Sequence, residues 1–231
     1  GPVGMAGRGG HGHNDCLSFE ASLLGRHLIT DCGAYVYSAD PQWRNDFRST
    51  GFHNTPIIGG EEQNRFVKPE YLWSLHNDAE PQVRYWDVAD DADWFVSAHT
   101  GYHRLTNPVT PVRAIMLDKT SHRIAVFDRF EGSGEHGIRV PFHLAPAVEA
   151  IEEGPGQSGI WRLKAGGRDF LAVADLGSNG GANEGADGAE GWTMTLGDGW
   201  VSPSYGIKHP ARVLNFPRRG PLAPLAVAFM P

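Results

Sequence analysis

Cysteine is almost missing from this chain. Cys16 and Cys32 are the only 2 in 231 residues, too few for a disulfide scaffold. They fall on the two arms of an expected hairpin, so one bridge and two free buried thiols are both open readings. Long apolar runs are missing too. Nothing approaches the roughly 18 residues of a membrane-spanning helix, and no membrane partner is expected. Positive charge is in deficit: 20 Lys and Arg stand against 27 Asp and Glu, a net charge of -7. That leaves no basic footprint for nucleic acid, and an acidic ligand would need a local basic patch. Helical periodicity is scarce, with no amphipathic pattern beyond two turns and only 72–78 and 146–152 as candidates. The opening Gly1-Pro2-Val3-Gly4 lacks the basic-then-apolar pattern of a signal peptide. The expectation is a fragment of a longer protein.

What is abundant is turn chemistry: 30 Gly and 16 Pro punctuate short extended segments. Leu17 to Leu24 and His27 to Thr30 read as a hairpin around Gly25-Arg26. Val112 to Leu117 and His122 to Phe130 form a second around Asp118-Lys119-Thr120-Ser121, and Gly159 to Leu163 and Asp169 to Ala174 a third around Gly166-Gly167. Asp93 to Leu105, Gly137 to Leu144, Trp192 to Leu196, Gly199 to Val201, Val213 to Phe216 and Leu225 to Phe229 are further strands. Residues 33–70 are irregular, and Leu176 to Gly191 reads as a mobile loop. Many short strands at regular spacing define an all-β fold, a large antiparallel β-sandwich with few or no helices, in a single domain over 1–231.

The 11 histidines are many for this length, and their placement singles out one region. In Gly10-His11-Gly12-His13-Asn14-Asp15, two histidines lie two apart, and in extended backbone they face the same side. Asp31 ends the strand-like His27-Leu28-Ile29-Thr30, and His53 sits in Gly51-Phe52-His53-Asn54-Thr55. His, His and Asp from separate segments are ligand types that zinc takes. Most His-x-His pairs are nonetheless solvent-exposed or hydrogen-bonded, and simple hairpin pairing sets Asp31 opposite Glu20 rather than His13. Asn14, Asp15 and Asn54 read equally as turn formers. Arg44 and Arg48, four apart, would share one face of a helical turn and suit carboxylates or sulfates; alternatively they pair with Asp40 and Asp46. Tyr35 and Tyr37 are ordinarily packing residues, and His99, His103, His122, His136 and His209 are structural or surface groups by default.

Three blocks in order resemble a known family. They are His11-Gly12-His13-Asn14-Asp15 with Leu17-Ser18-Phe19-Glu20; Ile29-Thr30-Asp31-Cys32-Gly33-Ala34-Tyr35-Val36-Tyr37; and Trp43-Arg44 through Phe47-Arg48-Ser49-Thr50 to His53-Asn54-Thr55. Together they look like the heparinase II/III-like polysaccharide lyases, which include heparinases and alginate and oligoalginate lyases. Looser matches follow at Arg113, Ile115, Asp128-Arg129-Phe130, Phe142-His143-Leu144 and Gly199-Trp200-Val201-Ser202-Pro203 with Tyr205-Gly206. Two departures stand out: Cys32 where proline is common, and Phe52 where a smaller residue is common.

The resemblance implies the C-terminal β-sandwich of an enzyme whose N-terminal α/α-toroid lies outside this chain. It implies β-elimination on a uronic-acid-containing, acidic polysaccharide, in a periplasmic or secreted setting. It assigns His11 to catalysis, His13, Asp31 and His53 to zinc, and Asn14, Tyr35, Arg44, Arg48 and Tyr205 to substrate binding. The toroid is the expected partner, and a homodimer is left open. A rival from another class is a non-catalytic, metal-stabilised carbohydrate-binding or structural sandwich.

Overall fold

The computed structural model describes residues 11–68, 70–71, 74–154, 159–177 and 191–231. Among them the fold is mostly β, with one short α-helix and antiparallel sheets stacked as a sandwich. The large sheet has eight strands. Strands β4 (Gln82–Val88), β5 (Ala92–Ala98), β6 (Val109–Asp118) and β7 (Arg123–Gly132) form a meander. The sheet continues through β14 (Leu225–Met230), β11 (Arg168–Asp175), β10 (Ile160–Ala165) and β9 (Glu149–Glu152). The small sheet runs β12 (Thr195–Ser204), β13 (Ile207–Pro221), β8 (Glu135–His143), β3 (Ile57–Ile58). A separate hairpin pairs β1 (Ala21–Leu23) with β2 (Arg26–Ile29).

Alternation along the strands makes the core. On β14, Leu225, Val227 and Phe229 point inward while Ala226, Ala228 and Met230 are only partly covered. The small sheet answers with Val140, Phe142, Leu214 and Phe216, all wholly buried. Phe142 bridges the layers: its ring centroid lies 5.6 Å from Phe216 beside it and 5.7 Å from Phe229 in the large sheet. These aromatic contacts are edge-on, the arrangement the ring quadrupole favours.

The helical expectations are corrected. Residues 149–152 form β9 rather than a helical turn, because they pair with β10 and tertiary pairing overrides weak local propensity. In 72–78, residues 72–73 lie outside the described set, and Leu75 makes a bridge to Phe66. The helix is α1 (Pro41–Arg48) instead. Asp40 caps it by accepting from the Trp43 N–H at 3.1 Å, Pro41 occupies the first turn, and Arg48 sits in the last turn where a cation suits the helix dipole. A 3₁₀ turn, Thr50–Phe52, follows at once. The expected 176–191 loop lies largely outside the described residues.

Candidate metal and sugar site

Four segments converge at one end of the small sheet. The chain leaving β2 runs along the end of β8: Thr30 N–H donates to the His143 carbonyl at 2.9 Å, and Ala145 N–H to that of Leu28 at 2.9 Å. It then meets β12, where Ser202 N–H donates to the Cys32 carbonyl at 2.7 Å. This carries Asp31 and Cys32 away from Glu20 and toward the residues after α1. The approach is close enough to require glycine next in line. Gly33 has φ +76°, and a Cβ there would collide with the Ser202 carbonyl.

Buried polar side chains fasten the remaining segments. Asn54 is fully buried; its amide donates to the carbonyls of Phe19 (2.9 Å) and Thr30 (2.8 Å) and accepts from His143 N–H (2.6 Å). Asn14 is equally buried and bonds Glu62 at 2.7 Å and both backbone groups of Asn64 at 3.0 Å. Glu62 also accepts from the Thr50 hydroxyl and N–H, each at 2.7 Å. Gln63 donates to the Cys16 carbonyl at 3.0 Å and the Thr55 hydroxyl at 2.9 Å. From the large sheet, Arg113 donates to the carbonyls of Leu17 (2.9 Å) and Asn54 while forming two 2.8 Å bonds to Asp128. Buried polar groups are kept only when paired, so this network fixes the positions of the loops at 11–18 and 50–55.

Within that frame His53 is wholly buried, and its Nδ1 lies 2.7 Å from Asp31 Oδ2. The second Asp31 oxygen accepts from Gly33 N–H at 2.7 Å. Cys32 Sγ is 3.9 Å from His53 Nδ1, and one ligand atom each from Asp31, Cys32 and His53 fall within 4.8 Å of one another. The His13 ring lies against that of His53, centroids 5.2 Å apart at 48°. Burial, with His53 adding to it, lowers the His13 pKa to about 3, so its imidazole is neutral and ready to ligate. His53 Nε2 has no hydrogen-bond partner. A buried imidazole whose Nδ1 faces a carboxylate and a thiol is a donor set that fits a zinc-type ion. Cys16 and Cys32 are both free.

Of the sequence-predicted metal residues, Asp31 and His53 bring ligand atoms together with Cys32, and His13 packs its ring against His53. His11 lies on the solvent side. It is exposed, with a left-handed φ of 64°, and its ring meets Tyr37 edge-on at 5.5 Å. Tyr37 in turn lies 5.5 Å from Tyr205. Tyr35 (φ 56°) and Leu17 (φ 67°) also adopt left-handed backbone here, strain that clusters at functional sites. Tyr35 packs on Trp43 and Phe47 at 5.9 and 5.4 Å. Arg44 and Arg48 turn inward from α1; Arg48 donates to the Gly12 carbonyl at 2.9 Å. Burial lowers the pKa of each to about 10, which leaves both charged at neutral pH. Asn14 faces the interior, so it reaches a sugar only through the loop it holds.

Sequence reasoning missed several partners. Tyr37 packs on Tyr205 and also stands 38 % exposed beside His11. Lys208 Nζ lies over Trp43 (2.8 Å), Trp200 (4.5 Å) and Tyr35 (4.8 Å), an aromatic patch at the site's edge. Glu62 and Gln63 gave no signal, since their roles depend on long-range contact.

An antiparallel sandwich in which ligand atoms of Asp31, Cys32 and His53 cluster beside the His13 ring, with His11 and Tyr37 exposed, defines a β-rich domain with a candidate metal site. The chain belongs to the heparinase II/III-like polysaccharide lyase family: that family's C-terminal domain, described as "Heparinase II/III-like, C-terminal", matches residues 1–223. Among solved structures it is similar to heparan sulfate lyase HepC from Pedobacter heparinus, with a TM-score of 0.72 and 16% identity over 96% of this chain and 31% of that one. A heparinase III gives a TM-score of 0.68 and 15% identity over 96% and 31% of the two chains. A second heparinase III gives 0.71 and 14% over 95% and 30%. The chain thus spans about 30% of the length of these structures. No curated protein matches it significantly.

Proposed function

We propose that this chain is the sandwich domain of a periplasmic or secreted lyase that cleaves a uronic-acid-containing polysaccharide by β-elimination, with a toroid domain preceding it. The observation that carries the reading is the convergence of His13, Asp31 and His53, from three separate segments, below an exposed His11 in a domain of this family.

Elimination needs a base for the proton next to the uronate carboxylate, a cation or strong donor to neutralise that carboxylate, and an acid for the leaving oxygen. His11 supplies an imidazole at the surface, and Tyr37 and Tyr205 supply phenols within one ring contact of each other. Arg44 and Arg48, charged below the same loop, make the local potential favourable to an acidic sugar in a chain that is acidic overall. Tyr35 forms part of the aromatic patch against which a sugar ring can lie. His13, Asp31 and His53 would hold a zinc that ties the loops rigidly together, and elimination consumes no water for it to activate.

The test is a substrate screen on the full-length protein with heparin, heparan sulfate and alginate. The account expects a rise in ultraviolet absorbance from an unsaturated uronate on at least one. Binding without any such product would instead favour the carbohydrate-binding reading, for which the Trp43, Trp200 and Tyr35 patch is the supporting feature.

A further inference from the structure

We propose that Cys32 is a fourth protein ligand of the metal, its thiolate completing a tetrahedral set with His13, Asp31 and His53 and closing the site. This rests on the proposed metal at His13, Asp31 and His53 and goes beyond it by assigning the coordination number and the role of the ion.

The distances carry the assignment. With Zn–S near 2.3 Å and Zn–N near 2.0–2.1 Å, a tetrahedral N···S edge is about 3.6 Å. Cys32 Sγ already stands 3.9 Å from His53 Nδ1. Asp31 Oδ2, at 2.7 Å from the same nitrogen, must open to an edge of about 3.3 Å. Its side chain is 36% exposed and has room to turn, with the other oxygen held by Gly33 N–H. A thiol used only for packing accounts for Cys32's weak contacts to the Gly33 and Phe47 carbonyls at 3.2 and 3.4 Å. It does not account for ligand atoms of Asp31, Cys32 and His53 all lying within 4.8 Å of one another. On binding, the thiol proton and the His53 Nδ1 proton both leave to solvent, and the Asp31–His53 hydrogen bond gives way to two metal–ligand bonds.

Four protein ligands mark a structural site, whereas a catalytic one keeps a position open. The metal then clasps the segment after β2 to the 11–16 and 51–55 loops and contacts no substrate.

Cobalt(II) added to the metal-free chain tests this. The expected result is one cobalt per chain, intense tetrahedral visible bands and a near-ultraviolet thiolate-to-metal charge-transfer band. Cys32→Ala and the near-isosteric Cys32→Ser should keep the visible bands, lose the charge-transfer band and bind about tenfold or more weaker. Visible bands without charge transfer in the unaltered chain would overturn the Cys32 assignment and leave the His/Asp/His reading standing. No cobalt uptake would overturn both. Charge transfer that survives in Cys32→Ala would place the thiolate elsewhere and refute the proposal.

Discussion

Arg113 and Asp128 join the large sheet to the site, and breaking them gives the sharpest structural prediction. The two side chains are 0% and 2% exposed, paired through two 2.8 Å bonds. The guanidinium also lies 5.5 Å from the Phe19 and Phe142 rings and donates to the Leu17 and Asn54 carbonyls. Asp128→Ala leaves a buried cation without its counter-charge, a change that costs about 3–5 kcal/mol. Against a domain stability of roughly 5–15 kcal/mol, that is a fifth or more. Arg113→Met combined with Asp128→Leu removes both charges and should recover much of the loss. It cannot restore the donor to the Leu17 and Asn54 carbonyls, so metal affinity should stay reduced even as stability returns. Guanidinium denaturation with tryptophan fluorescence measures the first quantity, and chelator competition the second. A loss under about 1 kcal/mol for Asp128→Ala, the range of an exposed pair, would refute the claim that this pair anchors the loops.

Acid should weaken the fold through buried neutral histidines. Burial lowers His99 to a pKa of about 3 against a usual value of 6.5, so the unfolded chain binds the extra proton between those values and stability rises with pH. The contribution is complete above pH 6.5, and moving to pH 5 removes about 2 kcal/mol. Burial acts on His53 in the same sense, but Cys32 and Asp31 raise its pKa overall, which opposes this trend. The comparison is therefore with His99→Gln, whose pH dependence should be shallower by that amount; identical slopes would count against it. In the full-length protein, His11→Ala should slow elimination about 10²–10⁴-fold with metal retained, whereas His13→Ala should lose metal and, through loop disorder, activity. The reverse pattern in metal analysis would exchange the two roles. Gly33→Ala should destabilise by more than about 1 kcal/mol, read by thermal melting, because its Cβ meets the Ser202 carbonyl.

The strands were legible where local chemistry decides them. Gly166-Gly167 and Asp118-Lys119-Thr120-Ser121 mark their hairpins, and the pairing found is that of β10 with β11 and β6 with β7. The helix carried a readable signal too, Asp40 before Pro41, but its buried face is Arg44, Phe47 and Arg48 rather than an apolar stripe, so hydrophobic periodicity missed it. β4 was missed because all seven of its residues are exposed, leaving no alternation to detect. At the site, residue types named the candidate ligands, but only the path of the chain past β8 and β12 brings Asp31 to His53. Cys32 entered for the same reason: its side chain reaches His53 only because that path delivers it there. Asn14 and Asn54 looked like turn formers, and burial makes them fasteners instead.

The most direct test of the metal clasp is elemental analysis together with thermal melting of the chain and its His53→Ala variant. Both should be prepared without chelator and measured near neutral pH, because protonated imidazole cannot bind zinc. The account predicts one zinc per chain, absent from the variant, with the melting temperature falling in step. A chain that carries no transition metal, or a variant that loses its metal and melts unchanged, would contradict it.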